Sequence, residues 1–282
     1  MQVAMNGLRI VKERNCPADR KKWKDFLVDA QETNNLGTQP NASVDTPMAQ
    51  AAQAEGPQAS ATSAASAALA GEPFIVAEGL GLKTPLGTPY LDINAKIPLG
   101  SFVAVTGDHG AGKTPLVLTF AGRMRFNRGS LTIDGHKLPH GDGKVRKIAG
   151  LGLFKGLNEF EANLKVRSVA ASELDLFHKP HRKADVQSYL ESWDLGHTAN
   201  TKVRDLSEPE LVRLGIALGM AGEPKILAVD DVEHSLNHDQ TRDLVELLKK
   251  LVRDRNMIVV LALTEPSFAT DADLVIPLER NK

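Results

Sequence analysis

The chain has 282 residues, 42% of them hydrophobic and 24% charged, with a formal net charge of −1. Those values fit a globular protein of one large domain or two small ones and exclude a global basic field drawing it to nucleic acid or lipid. The single cysteine, Cys16, excludes an internal disulfide and suits a reducing compartment. No run of about 18 apolar residues offers a membrane span. With no basic-then-apolar leader at the start, a cytoplasmic protein is expected.

In chain order, residues 1–30 hold one amphipathic candidate, "PADRKKWKDFLVDAQE", in which Trp23, Phe26 and Leu27 share a helical face. It reads as a short surface helix, or as a docking helix for a partner or membrane surface. Residues 31–72 form an Ala/Ser/Gln tract with almost no large apolar side chain. Such a tract cannot bury enough surface to offset its ordering entropy, and a disordered linker is expected.

From Glu72 onward the pattern alternates. "PFIVAEGLGL" and "TPYLDINAKIPLG" read as strands, and "SFVAVTG" as a short β-rich run ending in glycine. "KTPLVLTFAGRMRF" is a helical pattern, and "GSLTIDGH" is a strand and turn. Residues of about 166–200 are helical and charged, within a helical insert of about 155–205, with "ADVQSYLESWDL" the clearest helix. "EPELVRLGIALGMAG", "KILAVDD", "DQTRDLVELLKKLVRDR" and "MIVVLAL" then give helix, strand, helix, strand. The two strands are apolar throughout, as in a parallel sheet covered on both faces. The expected fold over residues 73–282 is therefore α/β, with a mainly parallel sheet, an antiparallel β portion and a helical insert.

Between the β-rich run and its helix lies "GDHGAGKT", residues 107–114, which spells G-x-x-x-x-G-K-[ST]. The mechanism requires this strand–loop–helix placement. Gly107, Gly110 and Gly112 let the backbone curl, so that the N–H groups of the loop, with Asp108, His109 and Ala111, face a phosphate chain. Lys113 reaches the β/γ-phosphates, the Thr114 hydroxyl can ligate Mg²⁺, and the helix N-terminus adds its dipole. Pro115 follows, without an N–H or a hydroxyl, so one or two phosphate contacts are lost. At about 1.5–3 kcal/mol for a hydrogen bond to a charged group, the grip is loosened rather than abolished.

A metal site beside a phosphate loop needs a carboxylate at the end of a neighbouring buried strand. Asp230 follows four apolar residues, Ile226 to Val229. Asp231 comes next, placed to orient or deprotonate an attacking water.

These motifs, in this order, resemble the ATP-binding cassette (ABC) ATPases. "GSLTIDGH" is similar to that family's strand and turn after the phosphate loop. "DLSEPELVRLGIALGMAGEPKILAVDD" has the spacing of its signature helix leading into the metal-binding strand. On this resemblance Leu206 and Ser207 open the signature, Asp231 takes the catalytic-acid place, and "SLN" of residues 235–237 takes that of the D-loop. Glu265 stands where the family's switch histidine follows "LALT". The departures are numerous. Between Lys113 and Leu206 the only glutamine is Gln187, too late for the glutamine loop. The signature reads Leu-Ser-Glu-Pro-Glu, Asn237 replaces an aspartate, and no aromatic residue lies around positions 83–85 to stack adenine; Tyr90 is the nearest.

The stretch from Ser207 to Glu210 reads well locally as a helix cap with its reciprocal partner, and Pro209 sits in the first turn, where it is tolerated. For phosphate contact it is poor, because Glu208 and Glu210 bring negative charge towards a polyanion. Like charges at about 4–6 Å in an effective dielectric near 20 cost a few kcal/mol, more than a helix-dipole gain of about 1 kcal/mol.

The resemblance implies an ATP-binding, slowly hydrolysing subunit that is peripheral on the inner face of the cell membrane. It would bind Mg·ATP and work on an integral-membrane permease through its helical insert, with a second cassette completing the site. A non-hydrolysing ATP-sensing module is the alternative. A soluble ABC protein of translation or DNA repair fits less well, since those carry two cassettes or a long coiled-coil insertion. His178 and His181, His234 and His238, and the basic cluster Arg123, Arg125, Arg128, Lys144, Arg146 and Lys147 are expected on solvated surfaces, and no nucleic-acid partner is expected.

Overall fold

The computed structural model describes residues 72–280. The amphipathic segment 1–30, and the Ala/Ser-rich tract except for its last residue, lie outside the described residues.

Two sheets carry the fold. Strands β1 (Pro73–Thr84), β2 (Gly87–Pro98), β4 (Arg128–Ile133) and β5 (His136–Leu138) form an antiparallel sheet in the order β2-β1-β4-β5. Strands β3 (Phe102–Thr106), β6 (Ala149–Leu151), β7 (Ile226–Val229), β8 (Ile258–Leu263) and β9 (Leu274–Pro277) form a parallel sheet in the order β6-β7-β8-β3-β9. Every residue of β3, β7 and β8 is buried, the pattern of strands covered on both faces.

Helix α1 (Lys113–Phe120) lies between the two sheets. Its Leu116, Val117, Leu118, Thr119 and Phe120 are all buried, in one core with Ile75 and Leu80 of β1, Ile97 of β2 and Val260 of β8. A helix buried on every side carries no amphipathic stripe, and at roughly 1.5–3 kcal/mol per large apolar side chain its burial anchors the loop that precedes it. On the far face of the parallel sheet, α5 (Glu208–Met220) and α7 (His238–Arg255) cover Leu227, Val259 and Leu261. A third cluster unites α3 (Val166–Leu176) and α4 (Lys183–Glu191) with Leu214 and Leu218 of α5.

Parallel register brings the loops that matter to one edge. Thr106 of β3 pairs with Leu263 of β8, and Val229 of β7 with Leu261. The chain therefore leaves β3, β7 and β8 on the same side of the sheet, where open α/β folds place their ligands.

Several boundaries differ from expectation. The helical pattern from Lys113 to Phe126 is cut short at Phe120, because Gly122 turns left-handed (φ 65°) and Arg123 N–H caps back to Leu118 O at 2.8 Å. A short helix, α2 (Asp142–Ile148), and strands β6 and β9 were not foreseen; at three and four residues the strands are too short for periodicity to register. Within the insert the helical pattern expected from about residue 166 begins at Val166. Before it, Asn158 fixes a turn by accepting from Phe154 N–H (2.7 Å) and donating to Gly152 O (2.8 Å).

Candidate functional site

The loop of residues 107–114 follows β3 and ends inside α1. Its shape needs glycine where other backbone comes closest. A Cβ on Gly112 (φ 93°) would lie 1.9 Å from Pro89 O, and one on Gly107 (φ 152°) 2.4 Å from Leu278 O. Strand β2 thus braces one side of the loop and the segment after β9 the other. Asp108, His109 and Gly110 form its exposed rim, while Ala111 is buried beneath.

Lys113 folds back over this loop, its Nζ donating to Gly107 O at 2.6 Å and to Asp108 O at 2.9 Å. Burial pulls the Lys113 ammonium below its usual pKa, against the carboxylates of Asp230, Glu233, Asp231 and Asp108, in that order of strength. The Thr114 hydroxyl favours the charged form of the Asp230 carboxylate. Burial pushes Asp230 up from 3.8 to about 6, with the Thr114 bond opposing the rise. Among the described residues no three His, Cys, Asp or Glu side chains cluster to hold a metal. One partly buried carboxylate and one hydroxyl nevertheless fit Mg²⁺, which takes few protein ligands and completes its shell with phosphate oxygens and water.

Pro115 is the third residue of α1 and is partly buried. The first N–H groups of a helix have no partner inside it, so proline costs the helix nothing here, and what is missing is a donor free to face a ligand.

Asp231 is exposed and left-handed (φ 50°, ψ 36°), capping the short helix α6 (Val232–Ser235). Glu265 is also exposed; it precedes a 3₁₀ turn at Pro266–Ala269, and its carboxylate lies 3.9 Å from His238 Nε2. Ser207 caps α5, but its polar atoms are spent locally: its N–H (2.8 Å) and hydroxyl (2.6 Å) both donate to Glu210 Oε2. These two bonds, and then His197 Nε2 at 2.9 Å, hold Glu210 below the usual carboxylate range. Leu206 and Glu208, on either side of Ser207, share a cleft of about 500 Å³ with Lys155, Asp230 and Asp231.

Three side chains gained meaning only from the structure. Lys155 lies in the segment where no glutamine was found, and lines the cleft beside Asp231. His238, expected on a solvated surface, packs on Phe268 at 4.8 Å between ring centres. Glu233 binds the segment after β8 through both carboxylate oxygens. Of the basic cluster, Arg123, Arg146 and Lys147 line a separate cleft of about 820 Å³ with Phe177 and His178, which corrects the expectation of a wholly solvated face. Tyr90 is 1% exposed, its hydroxyl 2.7 Å from Thr119 Oγ1, so it presents no ring to a base.

A glycine-bent loop between β3 and α1, its lysine, and a partly buried carboxylate just after a neighbouring strand define a P-loop nucleotide-binding protein. The model of the ABC transporter family matches residues 90–233, and the chain belongs to that family. It is 32% identical over 196 residues to the methionine import ATP-binding protein MetN of Corynebacterium jeikeium, covering 68% of this chain and 53% of the relative. It is 25% identical over 197 residues to the glutamine transport ATP-binding protein GlnQ of Geobacillus stearothermophilus, covering 68% of this chain and 81% of that one. The chain spans about half the length of the MetN proteins it matches. In fold it is similar to cbiO1 from Clostridium perfringens, part of the cbiONQ ABC transporter complex, with a TM-score of 0.62, 19% identity, and coverage of 74% of this chain and 86% of that one. A dimeric post-hydrolysis state of the ATP-binding cassette MJ0796, bound to ADP and Pi, superposes with a TM-score of 0.63 at 20% identity, over 73% of this chain and 94% of that one. No helix among the described residues is long and apolar enough to cross a membrane.

Proposed function

We propose that this chain is the ATP-binding subunit of an ABC transporter-type complex. In this reading it binds Mg·ATP on residues 107–114 and hydrolyses it slowly. The observation that carries the reading is the glycine-bent loop after β3, with Lys113 over its carbonyls at 2.6 and 2.9 Å and a partly buried Asp230 whose charge acts on Lys113. Lys113 would exchange its two loop carbonyls for phosphate oxygens, and Thr114 and Asp230 would hold Mg²⁺. Bound Mg²⁺ supplies charge neutralisation across the terminal phosphates. Asp231 would orient the attacking water, and Glu265 would stand at the γ-phosphate end. The names of the relatives support a role in import or transport; in this reading the chain would work beside an integral-membrane permease on the inner face of the membrane, contacting it through α3 and α4. A second cassette would present its own signature to this loop.

A second reading, an ATP-holding module that barely hydrolyses, is favoured by the placement of Asp231. Its carboxylate is exposed and its backbone left-handed, an arrangement that gives a water no enclosed seat.

Lys113→Ala tests the shared part of both readings. Loss of labelled-ATP binding with an unchanged circular-dichroism spectrum is expected. Full affinity in a folded Lys113→Ala protein would overturn the nucleotide site itself.

A further inference from the structure

A cleft of about 810 Å³ runs between α4, the end of α5 and α7. Its floor is apolar and half-buried: Tyr189, Trp193, Leu247 and Leu251 each keep part of their surface open to it. The Tyr189 hydroxyl already donates to Ala217 O at 2.5 Å, so its ring is what faces a partner. Two ion pairs on the rim close on themselves, Lys179 with Glu223 at 2.7 Å and Arg213 with Asp194 at 2.8 Å. The remaining rim charges are Asp185 and Glu191 on α4, and Lys250, Asp254 and Arg255 at the end of α7. The described chain enters the fold beside this cleft. Phe74, in β1, lies under Lys225 Nζ at 5.4 Å, and Lys225 closely follows Glu223 on the rim. Lys225 O accepts from Ile258 N–H at 2.8 Å, just past Arg255.

We infer that the segment of residues 17–32, "PADRKKWKDFLVDAQE", docks in this cleft of its own chain. Its sequence carries Trp23, Phe26 and Leu27 as anchors for the apolar floor. Bases come first, at Arg20, Lys21, Lys22 and Lys24, and acids follow at Asp25, Asp29 and Glu32. Laid with its basic half on Asp185 and Glu191, the segment brings its acidic half to Lys250 and Arg255. That is the end nearest Lys225, where the connection reaches β1. The roughly 40 residues between Glu32 and Glu72 can extend to about 130 Å, so reach does not limit docking, and the connection supplies an effective concentration on the order of 1 mM. The cleft of about 820 Å³ is a poorer seat, because Arg123, Arg146 and Lys147 line it against one acid, Glu173, and would meet the basic run. Aromatic anchors carry the affinity, and the exposed charges set the direction. Docked, the segment joins α4 of the insert to α7 of the core.

Cys16, the only cysteine, directly precedes the segment. Ser188→Cys and Ser192→Cys place a second thiol on the α4 side of the cleft, and Leu86→Cys places one on the exposed turn between β1 and β2 as the control. In dilute full-length protein under mild oxidation, an internal disulfide should form about tenfold faster with either serine variant than with the control. Phe26→Asp changes the segment alone and should remove the difference; Leu251→Asp changes the cleft alone and should do the same. In Trp193→Phe, which leaves Trp23 as the sole tryptophan, native Trp23 emission should be blue-shifted and should return to its solvent-exposed value with Phe26→Asp. Equal disulfide rates in all three cysteine variants, or Trp23 emission already at its solvent-exposed value, overturn the inference. Disulfide-linked dimers in place of the internal bond would put the segment on a second copy. A blue shift that arises only with anionic lipid vesicles would put it on a membrane surface. Either result overturns it as well.

Discussion

The hydroxyl of Thr114, in the first turn of α1, stabilises the charged form of the Asp230 carboxylate, the residue just after β7. This interaction links the phosphate loop to the neighbouring strand, and it partly offsets the cost of burying Asp230, whose residual cost appears as a pKa of about 6.

That raised pKa makes a stability prediction with a definite sign. Folded Asp230 holds its proton more tightly than the unfolded chain does, so stability falls as pH rises from about 4 to about 6 and is level above that. Asp230→Asn removes the penalty. The metal-free variant should be more stable than the parent at pH 7.5 by about 1–3 kcal/mol, with the gap shrinking as pH falls towards 4.5. Chemical unfolding at several pH values in chelator provides the comparison. A variant less stable at pH 7.5 would mean that the Thr114 bond outweighs the burial cost. The same variant should lose any Mg²⁺ dependence of ATP binding.

Tyr90 yields a prediction that separates packing from recognition. Thr119 Oγ1 donates to Pro115 O at 2.8 Å, which leaves Tyr90 as the donor in its 2.7 Å contact with Thr119. Tyr90→Phe should therefore cost about 1–2 kcal/mol of stability and leave nucleotide affinity unchanged. A large loss of ATP affinity in a stable Tyr90→Phe protein would place the ring near the base after all.

The parts of the site that could be seen in the sequence are those whose chemistry demands residue types at fixed spacing. Gly107, Gly110, Gly112, Lys113 and Thr114 form such a set, and so does Asp230 after four apolar residues. Glu233 could not be seen, because its partners are two backbone N–H groups beyond β8, and backbone donors leave no mark on side-chain identity. Gly112 is legible in the motif, but the contact that requires glycine there, with Pro89 O on β2, is not. Strands β3, β7 and β8 were legible from unbroken apolar runs. Strand β6, "AGL", was not, since three small or short residues carry no period.

Pro115→Thr should tighten ATP binding by about tenfold, because it restores an N–H and a hydroxyl at a helix position where neither is used internally. The variant leaves the Thr119 bond intact, since that bond uses the carbonyl of residue 115. Titration calorimetry on both proteins decides the matter. Equal affinities would show that another group already fills the place of the missing donor.

Turnover by the isolated chain should be very slow. Asp231 is exposed and left-handed, and its side chain is one methylene shorter than the glutamate of the family it resembles. A displacement of about 1 Å at a water-orienting group can cost on the order of a hundredfold in rate. On the proposed reading, Glu265 would place a carboxylate at the switch position, where a donor is needed. The start of α5 offers Glu208 and Glu210, and Glu210 is stabilised in its charged form by Ser207 and His197. Two such ends closing over ATP in a homodimer would set acid against phosphate. Asp231→Glu alone therefore should not restore ordinary rates, because it corrects only the reach of the base. A partner cassette with a glycine-rich signature is the expected rescue, since it would supply N–H donors in place of carboxylates while using this chain's Lys113. Steady-state assays of the purified chain, alone and with Lys113→Ala as the blank, measure this directly. Brisk turnover that vanishes with Lys113 would show that Asp231 and Glu265 suffice as they stand.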